Sequence, residues 1–368
     1  MDSDLCVYHC ALNKVFAYKC AVGRQLMEAL GGAAGVFAAR RDEPAALLHH
    51  ADAYIGQLTD PSLLEWARRE VEWAGSYGIR LLCLGLPGYP RRLADCPDAP
   101  LLLYCKGGID LDASRILAVV GTRKASWTGR EACRRIVERL SDLEVKPVIV
   151  SGLALGIDGC AHAAALSAGL PTVGVLPCGL DEIYPRQHRE LARSMLEMGA
   201  LVTDFSRATA PAAFTFLRRN RIIAALADAT LVVESYRKGG SLLTASLAAS
   251  YNRDVFAVPG RQSDASFEGC NRLIASQEAV LVPDEDALPL ALGWLRTCRE
   301  RRRQTLLRPD DPPLRRELLR ILADRAPATM EELAFWTGLP AREISVELLE
   351  LELAGRVVAD GAKFCVSL

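Results

Sequence analysis

The sequence predicts an α/β protein built on an extended, Rossmann-like doubly wound sheet, with a helical segment before it and a winged helix after it. Three observations carry this reading. Short β-branched runs alternate with helix-period segments from Ile116 to Val282, the runs are continuously apolar, and glycines cluster just after them. Continuous apolar strands separated by helices mean parallel strands covered on both faces, because a parallel pair needs a crossover and the crossover helices occupy the faces.

Taken in order, residues 1–80 form a helical (SAM- or helix-hairpin-helix-like) domain, with apolar residues recurring at three and four, as at Leu26 and Leu30. Gly23 and Gly31-Gly32 punctuate it; they fit a hairpin whose amides meet a phosphate, but plain helix caps account for them better. No site is assigned there. A stretch dense in Pro and Gly, from Leu86 to Pro100, leads into the main domain, 81–295. Its strands are Ile116 to Val120, Val148 to Val150, Thr172 to Leu176, Leu201 to Thr203, Thr230 to Glu234, Val255 to Val258 and Val280 to Val282. Helices are expected near 129–140, 157–168, 187–198, 220–227 and 242–251. Residues 296–313, with Arg296, Arg299, Arg301, Arg302, Arg303 and Arg308 before a proline-rich turn, read as a linker. The last unit, 314–368, has three helical segments and a terminal hairpin, a winged-helix order.

Lys plus Arg number 44 against 45 Asp plus Glu, so no whole-molecule field draws the chain to nucleic acid, and a nucleic-acid site must be a local basic cluster. The acidic N-terminus and the absence of a long apolar run point to the cytoplasm and away from the membrane. The 12 cysteines stand singly, without a C-x-x-C pair, as reduced buried thiols do. Cys6, His9 and Cys10 share one helical face but lack a fourth ligand at a sensible spacing, so packing is expected there and no metal.

Doubly wound sheets bind ligands beyond the carboxyl ends of their strands. The first strand is followed there by Gly121-Thr122-Arg123-Lys124, the second by Ser151-Gly152, the third by Pro177-Cys178-Gly179 and then Tyr184-Pro185-Arg186, and the fifth by Lys238-Gly239-Gly240-Ser241 opening a helix. Glycine lets backbone amides approach an anion and a helix start adds positive charge, so Ser151-Gly152 and Gly240-Ser241 are phosphate seats on this reading. Arg219-Asn220-Arg221 adds guanidinium groups suited to phosphate. One such loop alone could be a tight turn; several with Arg123, Arg186 and Lys238 on the same rim favour nucleotide or nucleic acid. Neither G-x-G-x-x-G after the first strand nor the P-loop pattern is present, which disfavours a dinucleotide or ATP cofactor. Asp158 and His162, at i and i+4, could orient a general base, but no Ser or Cys nucleophile stands with them. An Asp–His hydrogen bond bracing the loop is expected instead, with no catalytic residue.

These residues resemble the DNA-processing protein A family, also called Smf. Val120-Gly121-Thr122-Arg123, Ser151-Gly152-Leu153-Ala154, Gly156-Ile157-Asp158 with His162, Tyr184-Pro185, Arg219-Asn220-Arg221-Ile222-Ile223, Gly240-Ser241-Leu242 and Val258-Pro259-Gly260 fall in its order and spacing. The resemblance implies a non-enzymatic, homodimeric protein that binds single-stranded DNA, protects incoming DNA in natural transformation and loads the RecA recombinase on it. It implies that Arg123 is the main phosphate-binding arginine, with Arg186, Arg219 and Arg221 on the same pocket; Gly121, Lys124, Ser151, Gly152, Asn220, Lys238, Gly240 and Ser241 complete the binding rim read from the strand ends. The chain departs from the family at Gly239, Thr203-Asp204, Leu217 and Glu278. A nucleoside-phosphate hydrolase of the lysine-decarboxylase-like class is the alternative; its motif needs a Glu soon after the glycines, and Ser241 to Leu247 holds none. A protein-interaction adaptor is the third reading. It gains from the winged-helix unit, whose groove-facing helix, 341–353, sets Arg342 against Glu343, Glu347, Glu350 and Glu352, a charge that repels a phosphate backbone.

Overall fold

The structure, a computed structural model, describes residues 3–17, 19–40, 42–47, 51–295, 311–325 and 327–366. It divides into two compact units, 1–288 and 289–368. The arginine run at 296–308 lies outside the described residues.

A nine-stranded sheet organises the first unit. In chain order its strands are β1 (Ile79–Cys83), β2 (Leu102–Gly107), β3 (Ile116–Val120), β4 (Val148–Ser151), β5 (Thr172–Val175), β6 (Ala200–Thr203), β7 (Ala229–Val232), β8 (Asp254–Ala257) and β9 (Val280–Leu281). They lie side by side as β1-β2-β6-β5-β4-β3-β7-β8-β9. From β6 to β9 every pair is parallel, with Ala118 opposite both Val150 on β4 and Thr230 on β7. All five residues of β3 are buried, as the continuous apolar run requires of a strand covered on both faces. Helices α1 (Ser3–Val15), α2 (Cys20–Ala29), α3 (Ala33–Ala38), α4 (Asp42–Leu47), α5 (Ala51–Leu58), α6 (Pro61–Ser76) and α7 (Arg91–Ala94) come first, and the crossovers are α8 (Trp127–Leu140), α9 (Ile157–Ser167), α10 (Arg189–Met198), α11 (Ala213–Leu226) and α12 (Gly240–Ser250).

The antiparallel hairpin β1–β2, which the sequence reading passed over, carries the helical segment. Successive residues of β2 point to opposite faces. Leu101, Leu103 and Cys105 join Leu12, Phe16 and Leu26 and the sheet interior in one core, while Leu102 and Tyr104 join Cys6, Cys10, Leu63 and Ala67 in a second. The nitrogens of His9 meet the Leu5 and Leu84 carbonyls at 2.9 and 3.1 Å. No metal-holding group of three or more His, Cys, Asp or Glu occurs among the described residues, nor does a helix long and apolar enough to cross a membrane.

In the second unit, helices Pro313–Arg325, Met330–Thr337 and Ala341–Leu353 pack Leu318, Leu322, Leu333, Ile344, Leu348 and Leu351 into a core of their own. A three-stranded sheet of residues 328–329, 357–360 and 363–366 completes the winged helix. Thr329 and Glu332 cap the second helix reciprocally, and Gly338 ends it in the left-handed conformation at φ 71°. On the third helix Glu347 and Glu350 both pair with Arg315.

Candidate nucleic-acid interface

The chain leaves β3 toward β4 on one side and returns to β7 on the other. The carboxyl ends of β3 and β7 therefore border the switch-point crevice where sheets of this kind bind ligands. A cleft of about 270 Å³ opens there between the loop after β3, one face of α11 and the start of α12.

The loop after β3 is clamped from both sides. Thr122 N–H donates to the Glu234 carbonyl at 2.7 Å, and Ile157 N–H donates to the Thr122 carbonyl at 3.1 Å. A Cβ on Gly121 would stand 2.5 Å from Ile157 Cγ1, so only glycine fits the turn. Glu234 is itself buried and accepts from Ser126 N–H at 2.9 Å, while Ser126 Oγ accepts from Gly129 N–H and starts α8. With its backbone held, the loop sends the Arg123 side chain into solvent. Its guanidinium carbon lies 4.5 Å from the centre of the Phe216 ring, a cation–π contact. Phe216 in turn meets Tyr184 edge-on, centroids 5.5 Å apart.

Across the cleft α12 begins at Gly240. First-turn amides of a helix have no intrahelical acceptor and carry partial positive charge, so Gly240 and Ser241 present anion-seeking N–H groups beside Arg123. The Ser241 hydroxyl is engaged, donating to Ser235 Oγ at 2.9 Å.

The turn after β4 corrects the expectation of a second phosphate seat. Ser151, fully buried, donates its hydroxyl to the Val119 carbonyl at 2.5 Å. Gly152 N–H donates to Asp158 Oδ2 at 3.1 Å, and Arg219 Nη1 donates to the Gly152 and Val175 carbonyls at 2.5 Å each. A Cβ on Gly152 would lie 2.2 Å from that nitrogen. Burial raises the Asp158 pKa against the opposing pull of Arg219, and burial lowers Arg219 to about 10. The turn thus spends its polar groups on its own support.

The expected Asp158–His162 bond is replaced by two separate braces. Asp158 serves Gly152, while His162 Nδ1 pairs with Thr172 Oγ1 at 2.7 Å beneath α9. Full burial drops the His162 pKa to about 3.

Arg219 and Arg221 also separate. Residues two apart on a helix face different sides. Arg219 borders the cleft with its guanidinium turned inward. Arg221 leaves the cleft altogether, donating to Asp204 Oδ2 at 2.6 Å and to the Asp98 carbonyl, while Arg218 shares Asp204 at 2.8 Å. The expectation of Arg219 and Arg221 in one pocket fails for that reason. Asn220 does line the cleft, and Lys124 and Lys238 stand exposed near its mouth loops. Arg186 is mostly exposed in a shallower groove with Tyr184, Pro185 and Leu155, and lies 3.5 Å from Glu182.

Phe216 and Tyr184 were not assigned as site residues from sequence. The signal existed: Phe216, Arg219, Asn220 and Ile223 fall at i, i+3, i+4 and i+7, one face of α11, and that face lines the cleft.

Residues 80–291 match the family model of DNA recombination-mediator protein A, and residues 303–362 match the DprA winged helix domain. The chain belongs to the DNA-processing protein A family. It is 38% identical over 328 residues to Protein Smf of Escherichia coli, covering 84% of this chain and 86% of the relative. The DNA processing protein DprA of Streptococcus pneumoniae is 38% identical over 200 residues, 54% of this chain and 70% of that protein. Two solved structures share the fold. DprA of Streptococcus pneumoniae superposes with TM-score 0.55 at 33% identity, over 64% of this chain and 84% of that one. DNA processing protein A of Helicobacter pylori, whose single-stranded DNA binding mode that structure describes, gives TM-score 0.52 at 29% identity, over 56% and 94%. Seen against these DNA-processing protein A relatives, Gly121-Thr122-Arg123 sits within the matched domain, and the winged helix is a second matched part.

Proposed function

We propose that this chain binds single-stranded DNA in the cleft between Arg123 and the start of α12, protects incoming DNA during natural transformation and loads RecA on it as a homodimer in the cytoplasm. The observation that carries the DNA assignment is the exposed Arg123 guanidinium laid on Phe216 beside the helix entry at Gly240. A cation and two open amides suit a phosphate, and the Phe216–Tyr184 aromatic pair suits an unpaired base, which stacks on a ring whatever its identity. The single-stranded DNA binding of the Helicobacter relative supports the same ligand. RecA loading, the dimer and the compartment rest on family membership.

The reading is of a static cradle and not an enzyme. The Ser241 hydroxyl is bonded to Ser235, Asp158 to Gly152, and His162 is sealed below α9, so none of the three pairs as nucleophile and base. The acidic third helix of the winged-helix unit adds no second DNA site on this reading.

A competition titration tests it: labelled oligothymidylate bound to the full chain, displaced by unlabelled single strand or by duplex of equal length. Displacement by single strand at concentrations where duplex leaves the complex intact is the expected outcome. Equal displacement by both would remove the single-strand assignment.

A further inference from the structure

Two cysteines that the cleft does not use meet where α8 crosses α9. Cys133 is fully buried on α8, and Cys160 is half-buried on α9. Their sulfurs reach across reciprocally. Cys160 Sγ donates to the Arg130 carbonyl at 3.4 Å, three residues before Cys133, and Cys133 Sγ lies 4.0 Å from the Ile157 carbonyl, three residues before Cys160. That pattern turns both sulfurs into the gap between the two packed helices, each toward the turn that carries the other.

The pair differs from the other cysteines in access. Among the described residues only Cys160 and Cys365 are not buried, and Cys365 belongs to the winged-helix unit. Cys6 and Cys83 also bring sulfurs within 3.9 Å, but both are buried, so an oxidant cannot reach them without opening the fold. At Cys160 an accessible thiol faces the helix turn that carries a protected one. The environments divide their roles. The neighbouring Cys133 thiol, with Arg130 and Arg134 nearby, lowers the Cys160 pKa, while the Cys160 thiol and burial raise that of Cys133. Thiolate character at an accessible sulfur beside a second thiol is the setting in which cysteines react reversibly with peroxide.

We propose that Cys160 and Cys133 form a redox-active dithiol, in which hydrogen peroxide oxidises Cys160 and the pair closes to a disulfide joining α8 to α9. In the first step the Cys160 thiolate attacks one peroxide oxygen, the O–O bond breaks, and the departing hydroxide takes a proton to become water, leaving a sulfenic acid. In the second, the Cys133 sulfur attacks the Cys160 sulfur, the S–O bond breaks, and the hydroxyl leaves as water with the Cys133 proton. The two sulfurs lose two electrons to one peroxide. The new bond forms one turn behind Ile157, whose N–H holds the Thr122 loop, so the modification lies next to the support of the cleft.

The test treats the reduced full chain with an equimolar amount of hydrogen peroxide under native conditions, then maps thiols by proteolysis and mass spectrometry. Wild type is expected to give a cross-linked Cys133–Cys160 peptide that dithiothreitol releases. Cys133→Ser is expected to stop at the sulfenic acid and yield a dimedone adduct on Cys160, and Cys160→Ser to give neither product. Circular dichroism confirms that each variant is folded, and Cys133→Ala replaces the serine if it is not. Recovery of Cys160 as free thiol in treated wild type, or a folded Cys133→Ser variant without the dimedone adduct, would overturn the proposal.

Discussion

The loops after β3 and β4 leave neighbouring strands on one edge of the sheet, each turning on a glycine, and they do opposite things. The β3 loop fixes its backbone through Glu234 and Ile157 and leaves the Arg123 side chain in solvent over Phe216. The β4 loop directs everything inward: Ser151 to Val119, Gly152 N–H to Asp158, and Gly152 carbonyl to Arg219. A glycine turn at a strand end is a ligand seat only where donors remain after the fold has taken its share. Here the buried second loop supplies rigidity and the first supplies contact.

Breaking the inward loop is expected to have the largest effect, and on stability. Arg219→Ala leaves Asp158 buried without its guanidinium and removes the donor to two carbonyls, so unfolding free energy should fall by about 3–5 kcal/mol. Urea denaturation of the variant measures this; a loss of under about 1 kcal/mol would mean that the inward network contributes little.

The next effect concerns the base of the same loop. His162 has a folded pKa of about 3 against an ordinary 6.5. Between those values the unfolded chain takes up a proton that the folded chain refuses, so the stability is present above 6.5 and is lost as pH falls. From pH 7 to pH 5 wild type should lose about 2 kcal/mol that His162→Gln does not lose. Parallel pH dependences in denaturant titrations of the two proteins would contradict a neutral, buried His162.

Beneath the outward loop, on α11, the smaller change is Phe216→Ala. A stacked base and the platform under Arg123 disappear together, and affinity for single-stranded DNA should drop on the order of ten-fold with the melting temperature nearly unchanged. Fluorescence anisotropy with oligothymidylate reads it.

The parallel strands were legible because a strand buried on both faces is a continuous apolar run, as Ile116–Val120 is. The β1–β2 hairpin was not: Ile79–Cys83 carries the exposed Arg80 and follows a helix directly, so nothing in its short pattern separates strand from helix end. The rim was legible as a cluster, since strand order alone gathers the strand-end loops. The use of each polar group was not. Whether Ser151 points its hydroxyl at a ligand or at Val119 depends on the register of β4 against β3, and the loss of Arg221 to Asp204 depends on what packs behind α11. The helical period did carry part of the answer: counting back from Arg219 by three reaches Phe216, and the two share the face that lines the cleft.

The difference between the two loops is tested most directly by titrating oligothymidylate into wild type and Arg123→Ala at several salt concentrations, with a melting curve for each. A phosphate contact through Arg123 predicts about a ten- to hundred-fold weaker complex, a slope of log affinity against log salt shallower by about 0.7, and an unchanged melting temperature. Wild-type affinity with an undiminished salt slope in the folded variant would place the DNA elsewhere on the molecule.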